Sequence, residues 1–191
     1  MQKIKSILLT LLLSMATTAM MAATTNPEAV TALLNRIGGS GTADRFVTIV
    51  DESLKSGGKD VFTITAQDGK PCIKGSSTLA VTTGINWYLN HYAHVNLAWN
   101  HLTTDLSGVT LPVPASDETR TCHADYRYYL NYCTFSYSMS TWTWKRWQEE
   151  IDWMALHGIN MPLQIVGLDV VWKRLLTEKY NYTEAEANAF V

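Results

Sequence analysis

Asn131, Cys133, Ser136 and Tyr137 crowd into the short stretch NYCTFSYS, at the end of a segment with strand character. An Asn amide can both donate to and accept from a sugar hydroxyl or acetamide, and a tyrosine adds a ring face and a hydroxyl. In parallel α/β architectures ligands sit at the carboxyl ends of strands, where such side chains converge. Asn131, Cys133 and Tyr137 are therefore the candidate binding residues. The same residues also suit an ordinary turn, with Asn131 satisfying local backbone and Cys133 acting as a small core residue.

Other reactive types are less well placed. Glu149, Glu150 and Asp152 suggest a glycosidase carboxylate pair, but such a pair must flank one bond from two sides. Neighbours on a single helix point in different directions, so these three read as a solvated face. His91, His94 and His101 lack the one-face spacing of a zinc helix, and no metal or other cofactor is expected. Gly38-Gly39-Ser40-Gly41 has neither the preceding strand nor the lysine of a phosphate loop and reads as a helix stop. Asn181-Tyr182-Thr183 fits the short glycosylation-acceptor pattern.

The elements that must position these residues fall into two parts. Asn26-Pro27-Glu28 predicts a helix start, Val30, Leu33, Leu34 and Ile37 its apolar stripe, and Gly38-Gly39 its end. Phe46 to Val50, Asp60 to Thr65 and Cys72-Ile73 read as strands, with Asp68-Gly69 as a hairpin turn. Ser76-Ser77 caps a second helix carrying Leu79, Ala80, Ile85, Tyr88 and Leu89, and His94 to Trp99 reads as a returning strand. These make a small α/β sheet domain over residues 24–110, and the Pro- and Ser-bearing 111–119 reads as a linker.

Residues 120–191 switch to strand, helix, strand, helix. Tyr126 to Cys133 alternates aromatic and polar residues, a helix runs from about Trp144 to Gly158, and Ile159 to Val166 suits a buried parallel strand. Trp144, Trp147, Ile151, Met154 and Ala155 recur at helical spacing and predict the packed face of that helix. Trp142, ahead of the helix, is the freer ring for stacking on a ligand. A further helix carries Val171, Trp172, Leu175 and Leu176 on one side, and Thr183-x-x-Glu186 forms a capping box opening another. Two parallel strands leave unpaired edges, so this part reads as an unfinished sheet.

The full chain of 191 residues is 47% hydrophobic and 17% charged, which excludes a disordered chain. Its net charge of -2 and lack of a basic block argue against nucleic acid as partner. Lys3 and Lys5 precede an apolar run from Ile7 to Leu13 and small residues up to Ala23, the pattern of a cleaved export signal over residues 1–23. The run is shorter than the ~20 residues needed to span a bilayer, so an exported protein without a stable membrane span is expected. Cys72, Cys122 and Cys133 are an odd set from which no disulfide framework is expected.

The stretch YRYYLNYCTFSYSMSTWTWKRWQEEIDWMALHGIN, followed by TEAEANAF, resembles the start of the catalytic barrel of the α-N-acetylglucosaminidases, glycoside hydrolase family 89. GSSTLAVTTGINWYLNHY resembles part of that family's small N-terminal domain. The resemblance implies the first two βα units of an incomplete TIM (β/α)8 barrel and an exported, retaining exo-glycosidase. Its partner would be a glycan ending in α-linked N-acetylglucosamine. It also implies that the two catalytic glutamates lie beyond Val191, that this segment holds no catalytic residue, and that Asn131, Cys133 and Tyr137 touch the sugar. Where the family carries a Trp-Ser-Gly-Gln-like segment, this chain has QIVGLD at 164–169. A secreted carbohydrate-binding or interaction module without hydrolysis is the alternative reading.

Overall fold

A computed structural model describes residues 23–102, 104–163 and 167–191, with the backbone alone at 135 and 136. The export-signal reading of residues 1–23 lies outside the described residues apart from Ala23, as do Gln164, Ile165 and Val166.

The first layer is a five-stranded sheet with β1 (Thr24–Thr25), β2 (Val47–Val50), β3 (Val61–Gln67), β4 (Lys70–Gly75) and β5 (Glu118–Thr121), in the order β1-β2-β4-β3-β5. Only the β2–β4 pair is parallel. Asp68 and Gly69 both adopt positive φ in the tight turn between β3 and β4, as an Asp-Gly hairpin requires. Helix α1 (Glu28–Gly38) and helix α2 (Thr78–His91) cover the sheet. Ser77 caps α2 by accepting from the Ala80 amide.

Leu33, Leu34 and Ile37 of α1 meet Val81, Ile85, Tyr88 and Leu89 of α2 over Phe62, Ile64 and Ile73 of the sheet. Each such side chain, once buried, contributes roughly 1.5–3 kcal/mol. Phe46 meets Tyr88 edge to face, with ring centres 5.6 Å apart.

Three expectations for this part change. Residues His94 to Trp99 form no strand; the stretch is a loop with an isolated bridge between Ala98 and His101. Its Leu97, with Leu102 and Leu106, plugs the core, so the apolar pattern reports anchoring rather than pairing. Asn26 does not cap α1; its Oδ1 instead accepts from the Thr48 amide, while Pro27 takes the cap position. The stretch read as linker runs into β5, which pairs with β3 and completes this sheet.

The second part holds β6 (Tyr128–Tyr129), α3 (Trp144–Leu156), β7 (Met161–Pro162), α4 (Leu168–Tyr180) and α5 (Glu184–Phe190). Strands β6 and β7 pair in parallel, the Leu163 amide donating to the Tyr129 carbonyl at 2.9 Å. Both are shorter than the periodicity suggests. Leu130 at φ +72 breaks the extended run, and Met161, 41% exposed, is not buried as expected for that strand. The positive φ of Gly158 closes α3, and the Thr183–Glu186 capping box opens α5.

Helix α3 packs against α2, and its Leu156 enters the core of the first part. The face expected to be packed is only partly the one buried: Met154 is buried, Trp147 is half-buried and Ala155 packs against the core, but the stripe is rotated. Trp144 is 68% exposed and Ile151 is exposed, whereas Glu150 and Asp152 are buried with Met154 and Leu156. On α4 only Leu176 is buried; Val171, Trp172 and Leu175 remain exposed. No helix among the described residues is long and apolar enough to cross a membrane.

Candidate functional site

Beyond β6 the chain turns at once. Asn131 Oδ1 accepts from the Cys133 amide at 2.9 Å, the Thr134 amide at 3.1 Å and the Thr134 hydroxyl at 3.0 Å. One side-chain oxygen thus ends the strand and opens the π-helical turn Phe135–Met139. Such turns interrupt regular structure at positions where side chains are re-aimed.

The sequence-predicted residues share this segment. Asn131 and Cys133 lie on one turn, both exposed, and Tyr137 on the following turn is 86% exposed. The Oδ1 of Asn131 is committed to the turn, so the ordinary-turn role is real; the residue is exposed, and its Nδ2 makes no hydrogen bond among the described residues. The arrangement offers a ligand one amide donor, one thiol and one phenol on adjoining turns.

The tryptophans behind the turn behave differently from expectation. Trp142 is not free to stack on a ligand. Its ring meets Trp147 at 5.0 Å and Trp99 at 6.4 Å, and the Arg146 guanidinium sits 4.1 Å from its centre. Trp99 comes from the loop of the first part, so this cluster ties the two parts together.

The acidic residues are the larger correction. The reading of Glu149, Glu150 and Asp152 as a solvated face fails for two of them, since Glu150 is 0% and Asp152 4% exposed. Glu150 accepts from Trp99 Nε1 at 2.9 Å, Tyr129 Oη at 2.7 Å and Arg146 Nη2 at 3.0 Å. Burial and this carboxylate raise the Tyr129 phenol to about 12. Asp152 accepts two bonds from Arg36 of α1. The only trace of this network in the sequence is the Arg146–Glu150 spacing of four, common on any exposed helix.

At the opposite, amino end of β6 a cleft of about 320 Å³ opens between Phe62, Trp87, Arg127 and His157. Its central ion pair is already engaged. Arg127 donates to Asp60 Oδ2 at 2.6 Å, to the carbonyls of Gly158 and Ala124, and to Cys122 Sγ. Burial opposes the Asp60 charge, but the bonds from Arg127 and Ser77 prevail and hold its carboxyl below the ordinary range. Arg120 and His91 cover the Trp87 ring. With Asp60 and Arg127 bound to each other across it, the cleft reads as a seam between the two parts.

The histidines are dispersed: His91 and His157 stack on Trp87 and Trp153, and no group of three potential metal ligands occurs among the described residues. All three cysteines are unpaired; burial raises the Cys72 thiol. Asn181 and Thr183 of the glycosylation pattern are exposed, with the Thr183 hydroxyl engaged by Glu186.

Comparison with known proteins bears on both parts. Residues 28–115 match the model of the alpha-N-acetylglucosaminidase (NAGLU) N-terminal domain, and residues 127–191 that of its tim-barrel domain. The chain is 35% identical over 164 residues to the human alpha-N-acetylglucosaminidase, covering 85% of this chain and 22% of the human one. CpGH89 from Clostridium perfringens, solved in complex with its substrate GlcNAc-alpha-1,4-galactose, aligns with a TM-score of 0.67 and 31% identity over 83% of this chain and 18% of its own. A family 89 glycoside hydrolase from the same organism in complex with PUGNAc gives the same values. The chain spans about a fifth of the length of these relatives.

Proposed function

The chain belongs to the α-N-acetylglucosaminidase family of glycoside hydrolases, and on that premise we propose that it is the N-terminal part of an exported, retaining enzyme that removes terminal α-linked N-acetylglucosamine from glycans. The observation that carries the reading is the match to both family domains, in order, along one chain. In this reading α3 and α4 flank the first two strands of a (β/α)8 barrel, and Asn131, Cys133 and Tyr137 meet the sugar at the carboxyl end of β6.

Retention needs two carboxyl groups about 5–5.5 Å apart across the scissile bond. Glu150 and Asp152 cannot serve, because both are buried and hold structural donors. We therefore place the acid/base and the nucleophile on polypeptide beyond Val191, and this segment binds without cleaving. The test is hydrolysis of an aryl α-N-acetylglucosaminide by this chain and by the gene's full-length product. Activity in the full-length product alone, with the α-anomer of the sugar released first, is the expected result. An inactive full-length product refutes the enzyme reading; an active short chain refutes the placement of the catalytic pair.

A further inference from the structure

We infer that Glu150 is a positioning residue for the sugar-facing turn: its buried carboxylate grips Tyr129, the last residue of β6, two positions before Asn131. The inference rests on the proposed role of that turn in binding N-acetylglucosamine.

The geometry is specific. Glu150 has no exposed surface, and its three donors come from three elements: Trp99 from the loop of the first part, Tyr129 from β6 and Arg146 from α3. Arg146 is itself held over the rings of Trp142 and Trp99. A buried carboxylate is costly to ionise unless such donors surround it, and here each oxygen has at least one. Strand β6 is only two residues long and is followed by Leu130 at φ +72, so its own ladder anchors the turn weakly. The Tyr129 hydroxyl bond supplies a fixed point immediately ahead of that strained residue.

A network serving stability alone would be indifferent to where its strand partner sits. Tyr129 is the one donor on the backbone leading into the candidate site, so loss of its hydroxyl releases the turn while Trp99 and Arg146 still satisfy Glu150.

The test uses two readouts. In the chain itself, maleimide labelling resolved by peptide mass spectrometry reads the mobility of the turn through exposed Cys133, with Cys122 as internal reference. Tyr129→Phe is expected to raise the Cys133 rate severalfold with the Cys122 rate unchanged. Glu150→Gln keeps an acceptor for Tyr129 but turns an amide donor toward the Arg146 guanidinium, so its Cys133 rate is expected to rise as well. In the full-length product, Tyr129→Phe is expected to raise KM about fivefold or more with kcat little changed, the signature of lost binding to non-reacting parts of the substrate. Asn131→Asp serves as control for the site. Equal Cys133 labelling in Tyr129→Phe and parent overturns the inference whatever the ligand. A raised KM in Asn131→Asp but not in Tyr129→Phe overturns the positioning role and leaves the sugar reading intact. An unchanged KM in Asn131→Asp removes the sugar reading and the inference with it.

Discussion

Arg36 on α1 donates two hydrogen bonds of 2.6 Å, from Nε and Nη2, to the two carboxylate oxygens of Asp152 on α3. The partners lie 116 positions apart, and the pair locks the first helix of the N-terminal domain to the first helix of the barrel. The bidentate geometry suits arginine and not lysine.

Arg36→Ala leaves the Asp152 carboxylate buried without its partner. Removing one member of a buried pair costs ~3–5 kcal/mol; because the Arg36 side chain is 35% exposed we expect about 2 kcal/mol here. Arg36→Lys should recover less than half of it. Urea unfolding measures both, and a cost below about 0.5 kcal/mol would show that the pair does not couple the parts.

Gly84 lets α2 lie directly on the sheet. A Cβ there would sit 2.7 Å from Ile73 Cγ2 and 3.1 Å from the Phe62 ring. Gly84→Ala should therefore destabilise by about 1–3 kcal/mol through overpacking, even though alanine favours the helix. A more stable variant by thermal melting would mean that the sheet yields at this point.

The Asp60–Arg127 pair gives the seam an acid sensitivity. The Asp60 pKa is lower folded than unfolded, so between the two values the unfolded chain binds more protons and stability rises with pH. The stabilisation is present above the ordinary aspartate value of about 4 and is lost as pH falls through the folded value. Asp60→Asn should flatten the stability curve below about pH 4 and leave the neutral-pH slope unaltered. An unchanged acid limb in that variant would assign the sensitivity to other carboxylates.

Asn131→Asp separates the two jobs of Asn131. The variant keeps the oxygen that caps the turn and loses the Nδ2 donor. Stability should change by no more than about 0.5 kcal/mol, while KM of the full-length product for an α-N-acetylglucosaminide rises about tenfold. Asn131→Ala should add a cost of about 1 kcal/mol, because the cap is lost as well. Equal kinetics in Asn131→Asp and the parent would confine Asn131 to the turn.

What local chemistry specifies could be read before any coordinates. The stripe of α1, the Asp-Gly hairpin, the Ser77 cap, the Gly158 stop and the Thr183–Glu186 box rest on contacts within a few residues, and each appears where its pattern predicts. The turn held by Asn131 was legible for the same reason, since a strand end needs polar partners and the sequence supplies one there.

The tertiary structure alone decided which face of α3 is buried. Its aromatic periodicity predicted Trp144 and Ile151 inward, but α2 and the loop carrying Trp99 compete for the helix and turn Glu150 and Asp152 inward instead. The donors that make this tolerable lie 21, 51 and 116 positions away, and a charge is read as solvent-facing until such partners are known. Local periodicity gives a helix its stripe; the cost of desolvating a carboxylate, met or unmet by distant donors, settles how that helix is rotated.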